Sequence, residues 1–232
     1  MSVMMDVVIV SYAKNEKCLM LTSDCLDSLL ESETPGFFNV FVVESNPDIN
    51  WDDSDRRIKT IPAPLPYGYH KFLNAGIKEG NSDFVALCNN DLTFSKNWAS
   101  EIIDFSRTRE DVLSFSPICP LTQPLYGINE NSGIYLGHQI RVHISGWCIV
   151  QKRKIYDNIP KLDESFEHWY CDNDYAITLH KAGLPHALVT SSIVKHHNSN
   201  IGETTKNVIE DPAELERLTT GASAKLISKW KL

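Results

Sequence analysis

Asp83 to Asp91, DFVALCNND, is an apolar run that breaks without transition into two amides and a carboxylate. An apolar stretch of this length without alternation suits a strand buried on both faces, as in the middle of a parallel sheet. Ligands of open parallel sheets gather beyond the carboxyl ends of the strands, so Asn89, Asn90 and Asp91 stand where chemistry should be sought. Two earlier segments have the same form. Asp6 to Tyr12 (DVVIVSY) runs into Ala13, Lys14 and Asn15, and Asn39 to Val43 (NVFVV) closes in Glu44, Ser45, Asn46 and Pro47. A helix expected over Cys18 to Leu30 joins them, which predicts a right-handed parallel crossover.

The pattern continues with a short edge strand at Ile58 to Ile61, a helix over Tyr69 to Lys78, a helix over Ala99 to Phe105 and a strand over Val112 to Pro117. The second half changes character. Ile140 to Val150 (IRVHISGWCIV) reads as one strand, Asp172 to Ala182 as a helix stopped by Gly183, Ala187 to His196 as a strand, and Pro212 to Trp230 as a helical tail folding back over the site. The expectation is one α/β domain over 1–232, without a firm internal boundary.

Composition agrees with an ordinary globular protein: 232 residues, 42% hydrophobic and 22% charged. A net charge of -8 works against nonspecific adhesion to nucleic acid or anionic lipid. The six cysteines lack CxxC pairs and the dense spacing of a disulfide scaffold, so they read as reduced thiols. The amino terminus lacks a signal-peptide pattern and no apolar run reaches the roughly 20 residues of a membrane helix. A soluble, cytoplasmic protein is expected.

Three groups of residues carry candidate chemistry. A hard cation such as Mn or Mg takes oxygen ligands, often one or two carboxylates plus substrate phosphates, so Asp91 beside two amides can suffice, although a plain turn has the same composition. In Trp169 to Asp174 (WYCDND), Asp172 serves either as a helix N-cap or as a general base for an acceptor hydroxyl. Asp172 and Asp174, two residues apart at a helix start, point differently and should differ in role. His196 and His197 could complete a metal shell or bind a diphosphate oxygen, and their spacing lacks the HExxH pattern of a zinc helix.

Together these segments, from about Val7 to His197, resemble the family 2 glycosyltransferases of GT-A fold. The resemblance implies a Rossmann-like nucleotide-sugar-binding half with a mixed, mostly parallel sheet over residues 1–92, an acceptor-binding and catalytic half over 93–200, and a C-terminal helical tail over 201–232. The resemblance matches Ser11, Tyr12 and Asn15 to the turn after the first strand, and Glu44 to the acidic residue that meets the nucleotide base. Lys71 and Asn74 match the helix beside the nucleotide, and Asn89, Asn90 and Asp91 the D-x-D position, with Asn89 replacing the first Asp. Gly146 and Trp147 resemble the acceptor-facing segment, which Trp169 and Asp174 would extend. Cys171 to Asp174 followed by Lys181, Ala182 and Gly183 matches the base motif, with Cys171 replacing its Glu, so that the base role falls on Asp172. His196 or His197 matches the late histidine near the metal.

The resemblance implies a metal-dependent, inverting transfer of a hexosyl or pentosyl group from a nucleoside diphosphate sugar, UDP as first expectation, to an acceptor hydroxyl. The acceptor expected is a glycan. Hydroxymethylated bases in DNA are the alternative, with Lys225, Lys229, Lys231 and Trp230 as candidate contacts. A nucleotidyltransferase would place a Gly-rich loop after the first strand, where Ser11 to Glu16 has no glycine. A non-catalytic sugar-nucleotide-binding module remains open because Asn89 and Cys171 stand where acids are usual.

Overall fold

The computed structural model describes residues 4–52, 57–197 and 211–232. Strands β1 (Met5–Ser11), β2 (Phe38–Glu44), β3 (Ile58–Pro62) and β4 (Phe84–Cys88) are linked by helices α1 (Glu16–Ser32) and α2 (Tyr69–Ile77). There follow β5 (Leu92–Phe94), α3 (Trp98–Thr108), β6 (Ser114–Ile118), β7 (Ile134–Leu136), β8 (Cys148–Lys152), α4 (Cys171–Lys181) and β9 (His186–His196). The tail carries α5 (Pro212–Glu216) and α6 (Ala222–Trp230), joined by the wide helical turn Arg217–Gly221.

One sheet runs β3-β2-β1-β4-β8-β6-β9-β5, with β7 beside β9. β1 pairs in parallel with β2 and β4, and β2 with β3. The antiparallel β8 joins β4 to β6, and β6 pairs in parallel with β9. Successive β1 residues explain the two cores. Met5, Val7 and Ile9 pack with Leu26 and Leu29 of α1 and Trp98 and Ile102 of α3. Val8 packs on the opposite face with Phe72 and Leu73 of α2 and Tyr175 and Leu179 of α4. Because both faces are covered, the strand cannot alternate apolar with polar. α2 crosses β1 so closely that a Cβ on Gly76 would lie 2.3 Å from Val8 Cγ1.

The expected strand over Ile140 to Val150 is corrected. Only Cys148–Lys152 is strand, and the segment before it is a compact loop. Arg141 adopts the left-handed φ of 67°, its N–H donates to the Ile144 carbonyl at 2.8 Å, and the His143 N–H donates to Gln139 at 2.8 Å. Val142 and Ile144 imitate strand alternation because both are buried by the loop. β5 and β7, three residues each, are too short to show a period. Among the described residues no helix is long and apolar enough to cross a membrane.

The start of β1 is fixed by a buried charge. Asp6 Oδ2 accepts from Arg153 Nη2 at 2.6 Å and from the Ser82 N–H at 2.8 Å, while Oδ1 accepts from Asn39 Nδ2 and Ser82 Oγ. Arg153 also donates to the Ser82 and Ile77 carbonyls. Asp6→Ala strands the guanidinium and is expected to lower unfolding free energy by about 3–5 kcal/mol in urea denaturation.

Candidate active site

The turn after β4 is tied down residue by residue. The Asn89 N–H donates to the Trp147 carbonyl at 2.9 Å, and its Oδ1 accepts from the Tyr69 hydroxyl at 2.8 Å. That hydroxyl also lies 3.1 Å from the Gly146 carbonyl oxygen. Asn90 Nδ2 donates to Thr22 Oγ1 at 2.8 Å, and Thr22 Oγ1 sits 3.1 Å from Ser11 Oγ, so the ends of β1 and β4 share one polar chain.

Asp91 is 3% exposed. Its Oδ2 lies 3.2 Å from His196 Nε2, which the pairing of Leu92 with His196 across β5 and β9 brings alongside. Its Oδ1 is buried without a hydrogen-bond partner among the described residues. Leaving a carboxylate oxygen in that condition is costly, and a cation would relieve it. Among the described residues no three acidic, His or Cys side chains converge as a metal cage. The donor set therefore fits an ion that takes one carboxylate and one imidazole here and fills its shell from phosphate oxygens and water. The Trp147 ring stacks on His196 at 5.6 Å between centroids and 13° between planes, fixing the imidazole. The His197 ring is held elsewhere, with Nε2 at 2.6 Å from Thr93 Oγ1.

α4 supplies the facing carboxylate. Its first residue is Cys171, and Tyr170 occupies the cap position at φ 64° without a side-chain cap bond, so Asp172 is not the N-cap. A left-handed non-glycine residue is strained, and such strain concentrates at functional sites. Asp172 Oδ1 accepts the Asn173 N–H at 2.9 Å. Gly146 makes room for it, since a Cβ there would lie 3.0 Å from Asp172 Cβ and 3.2 Å from Oδ2. Desolvation by the packed protein raises the Asp172 pKa, opposed by the Asn173 N–H, its own N–H and the Arg141 charge.

A cavity of about 840 Å³ joins these parts. It brings together Ser11, Tyr12, Asn89, Asn90, Asp91, Gly146, Trp147, Trp169, Asp172 and His196. Asn15, Glu44, Lys71, Asn74, Asp174 and His197 do not line it. Asn15 Oδ1 caps α1 by accepting the Cys18 N–H. Glu44 accepts the Ala13 and Asn46 N–H groups on one oxygen and Trp51 Nε1 on the other, so it organises the loops beyond β1 and β2. Lys71 donates to the Leu65 and Pro66 carbonyls, and Asn74 to the Leu162 carbonyl and Glu164. Asp174 Oδ1 takes Lys229 Nζ and Trp230 Nε1, both at 2.7 Å, and anchors α6.

The tail's cations are thus largely committed inside the molecule: Lys229 also bonds Asp163, and Lys225 bonds the Ser165 carbonyl. Asp211, Glu214 and Leu218 line the cavity. Residues 198–210, which begin the expected tail, lie outside the described residues. Sequence reasoning missed Tyr69, His168 and Arg141 as cavity residues. His168 is pushed down to about 4 by burial and lies 2.6 Å from the Tyr67 hydroxyl. Tyr69 opens the expected helix Tyr69 to Lys78, and Arg141 lies in the stretch read as a strand, where nothing local marks it as a cavity residue.

The model of glycosyl transferase family 2 matches residues 6–128, more than half of the chain. The chain belongs to that family. This family 2 member also has the GT-A fold. A mannosyltransferase from Pyrobaculum calidifontis, PcManGT, solved in complex with GDP-Man and Mn2+, matches at TM-score 0.66 and 13% identity over 90% of this chain and 61% of that one. GalNAc-T7 with UDP, GalNAc and Mn2+ matches at TM-score 0.64 and 10% identity over 84% and 44%. The uncharacterized protein y4gI of Sinorhizobium fredii is 22% identical over 206 residues, 75% of this chain and 23% of the relative. This chain therefore spans about a quarter of that relative's length.

A carboxyl whose folded pKa is raised contributes stability fully only below its unfolded pKa of about 3.9, and loses it as pH climbs through the folded value. Asp172→Asn should therefore unfold at higher urea concentration than the parent at pH 7, and the gain should vanish near pH 3.

Proposed function

We propose that this chain transfers a glycosyl group from a nucleoside diphosphate sugar to an acceptor hydroxyl, with inversion, using Asp172 as general base. The observation that carries the reading is that Asp91, with an unpartnered buried oxygen, and Asp172, desolvated at the start of α4, line one cavity. Asp172 accepts the acceptor proton as the oxygen attacks the anomeric carbon. Its raised pKa moves it toward the operating pH, where a base is most effective. No covalent sugar intermediate is needed.

Asp91 and His196 would hold a divalent ion, Mn or Mg, which when bound supplies positive charge to the departing diphosphate. Both named structural relatives were solved with Mn2+, one with GDP-Man and one with UDP. Glu44 is occupied by protein donors, so it offers no support for a uridine preference, and UDP, GDP and dTDP sugars should be screened together. The glycan reading of the acceptor is favoured over hydroxymethylated DNA because Lys229 and Trp230 are spent on Asp174 and the chain is acidic.

In Mn-dependent nucleotide release with glycan and hydroxymethylated DNA acceptors in parallel, Asp172→Asn should lower transfer by about 10²–10⁴-fold and leave nucleotide binding intact. Unchanged turnover would remove Asp172 from the reaction. Gly146→Ala, by pushing on the Asp172 carboxyl, should cost on the order of a hundredfold in kcat with little change in nucleotide affinity. Asp91→Ala should abolish the Mn dependence of nucleotide binding.

A further inference from the structure

Arg141 is placed too carefully for an incidental surface charge. Its backbone is left-handed, its N–H is spent on Ile144, and its carbonyl accepts from Gln123 Nε2 at 3.1 Å. Gln123 is fully buried, reaches Ser145 Oγ at 3.1 Å with the same nitrogen, and accepts the Cys119 N–H at 2.8 Å. One buried amide thus clamps the loop that carries both Arg141 and Gly146, the residue beneath Asp172.

The Arg141 side chain is exposed on the cavity and forms no hydrogen bond or ion pair with any described residue. Among the described residues lining the cavity it is the one permanently charged cation. The carboxylates around the same space include Asp91 and Asp172, together with Asp211 and Glu214 from the tail. Asp211 caps α5 and Glu214 pairs with Arg217, so neither neutralises Arg141. A neutral hydroxyl would gain only an ordinary hydrogen bond from this guanidinium, whereas a carboxylate or phosphate would gain a charge-assisted, bidentate one that offsets repulsion by the nearby carboxylates.

Position decides which substrate. On the proposed reading, the diphosphate end of the cavity is Asp91, in the turn between β4 and β5, and His196, the last residue of β9. Arg141 instead belongs to the Gln123-clamped loop whose Gly146 abuts the Asp172 side chain, and it lines the cavity with Asp172, at the end where the proposed base would meet the acceptor hydroxyl. Tyr126, exposed on the turn that Gln123 begins, lines the same cavity, and an aromatic side chain there suits the apolar side of a sugar. We infer that Arg141 anchors an anionic group, a carboxylate or a phosphate, carried by the acceptor sugar. The inference rests on the reading of Asp172 as base, and its test is a binding measurement that does not require turnover.

With Mn2+ and saturating UDP or GDP present, glucose, glucuronate and glucose 1-phosphate are titrated calorimetrically into the wild type, Arg141→Gln and Arg141→Lys. At least one anionic sugar should bind the wild type tenfold or more tighter than glucose. That advantage should disappear in Arg141→Gln and persist in part in Arg141→Lys. Preference for glucuronate alone assigns the carboxylate, and preference for glucose 1-phosphate alone assigns the phosphate. Equal binding of all three sugars, or an advantage that survives Arg141→Gln, overturns the inference. Weakened UDP and GDP binding in Arg141→Gln also overturns it, by placing the guanidinium on the donor diphosphate. Failure of the transfer reading would register separately, in the turnover of Asp172→Asn.

Discussion

The antiparallel pairing of β4 with β8, in the register that sets Cys88 opposite Cys148, is the constraint on which the site depends. It makes the Asn89 N–H donate to the Trp147 carbonyl one step past the strand end. The turn that holds Asp91 and the loop that holds Gly146 are thereby parts of one ladder. A slip of one residue would reverse which side chains face the cavity. Gly146 would no longer lie under Asp172, and Trp147 would leave the face of His196.

Around that ladder, charge is placed at a cost to stability. Asp91 keeps an oxygen without a partner among the described residues, and Asp172 is desolvated, offset by the Asn173 N–H, its own N–H and the Arg141 charge. Elsewhere the molecule satisfies its buried carboxylates: Asp6 takes Arg153, Asn39 and Ser82, and Asp174 takes Lys229 and Trp230. The contrast separates groups that hold the fold from groups left ready for a ligand. Asp172 and Asp174 are the sharpest case, since two residues along one helix turn one carboxyl to the cavity and the other to the tail.

The parallel half was legible because β1, β2 and β4 are buried on both faces and therefore apolar without interruption, each ending in polar residues. Asp91 and Asp172 stood out for the same reason, as carboxylates just beyond an apolar strand and just inside a helix. Glu44, Lys71 and Asn74 are chemically sensible nucleotide contacts, but sequence does not disclose that each also bonds groups of the protein itself. Ile140 to Val150 misled because Val142 and Ile144 are buried by a loop whose course depends on Gln123, a partner distant in sequence. The same dependence hid Arg141. His196 and His197 could be told apart only once β5 paired with β9 and carried one imidazole to Asp91 and the other to Thr93.

The central claim, one cavity with a cation-ready carboxylate at one end and a base at the other, is most directly tested by diffraction at the manganese edge from crystals grown with Mn2+ and a nucleoside diphosphate. The account predicts an anomalous peak against Asp91 Oδ1 within reach of His196 Nε2, the diphosphate beside it, and the Asp172 carboxyl open to the same space. A nucleotide bound outside this cavity, or a manganese peak remote from Asp91, would contradict it.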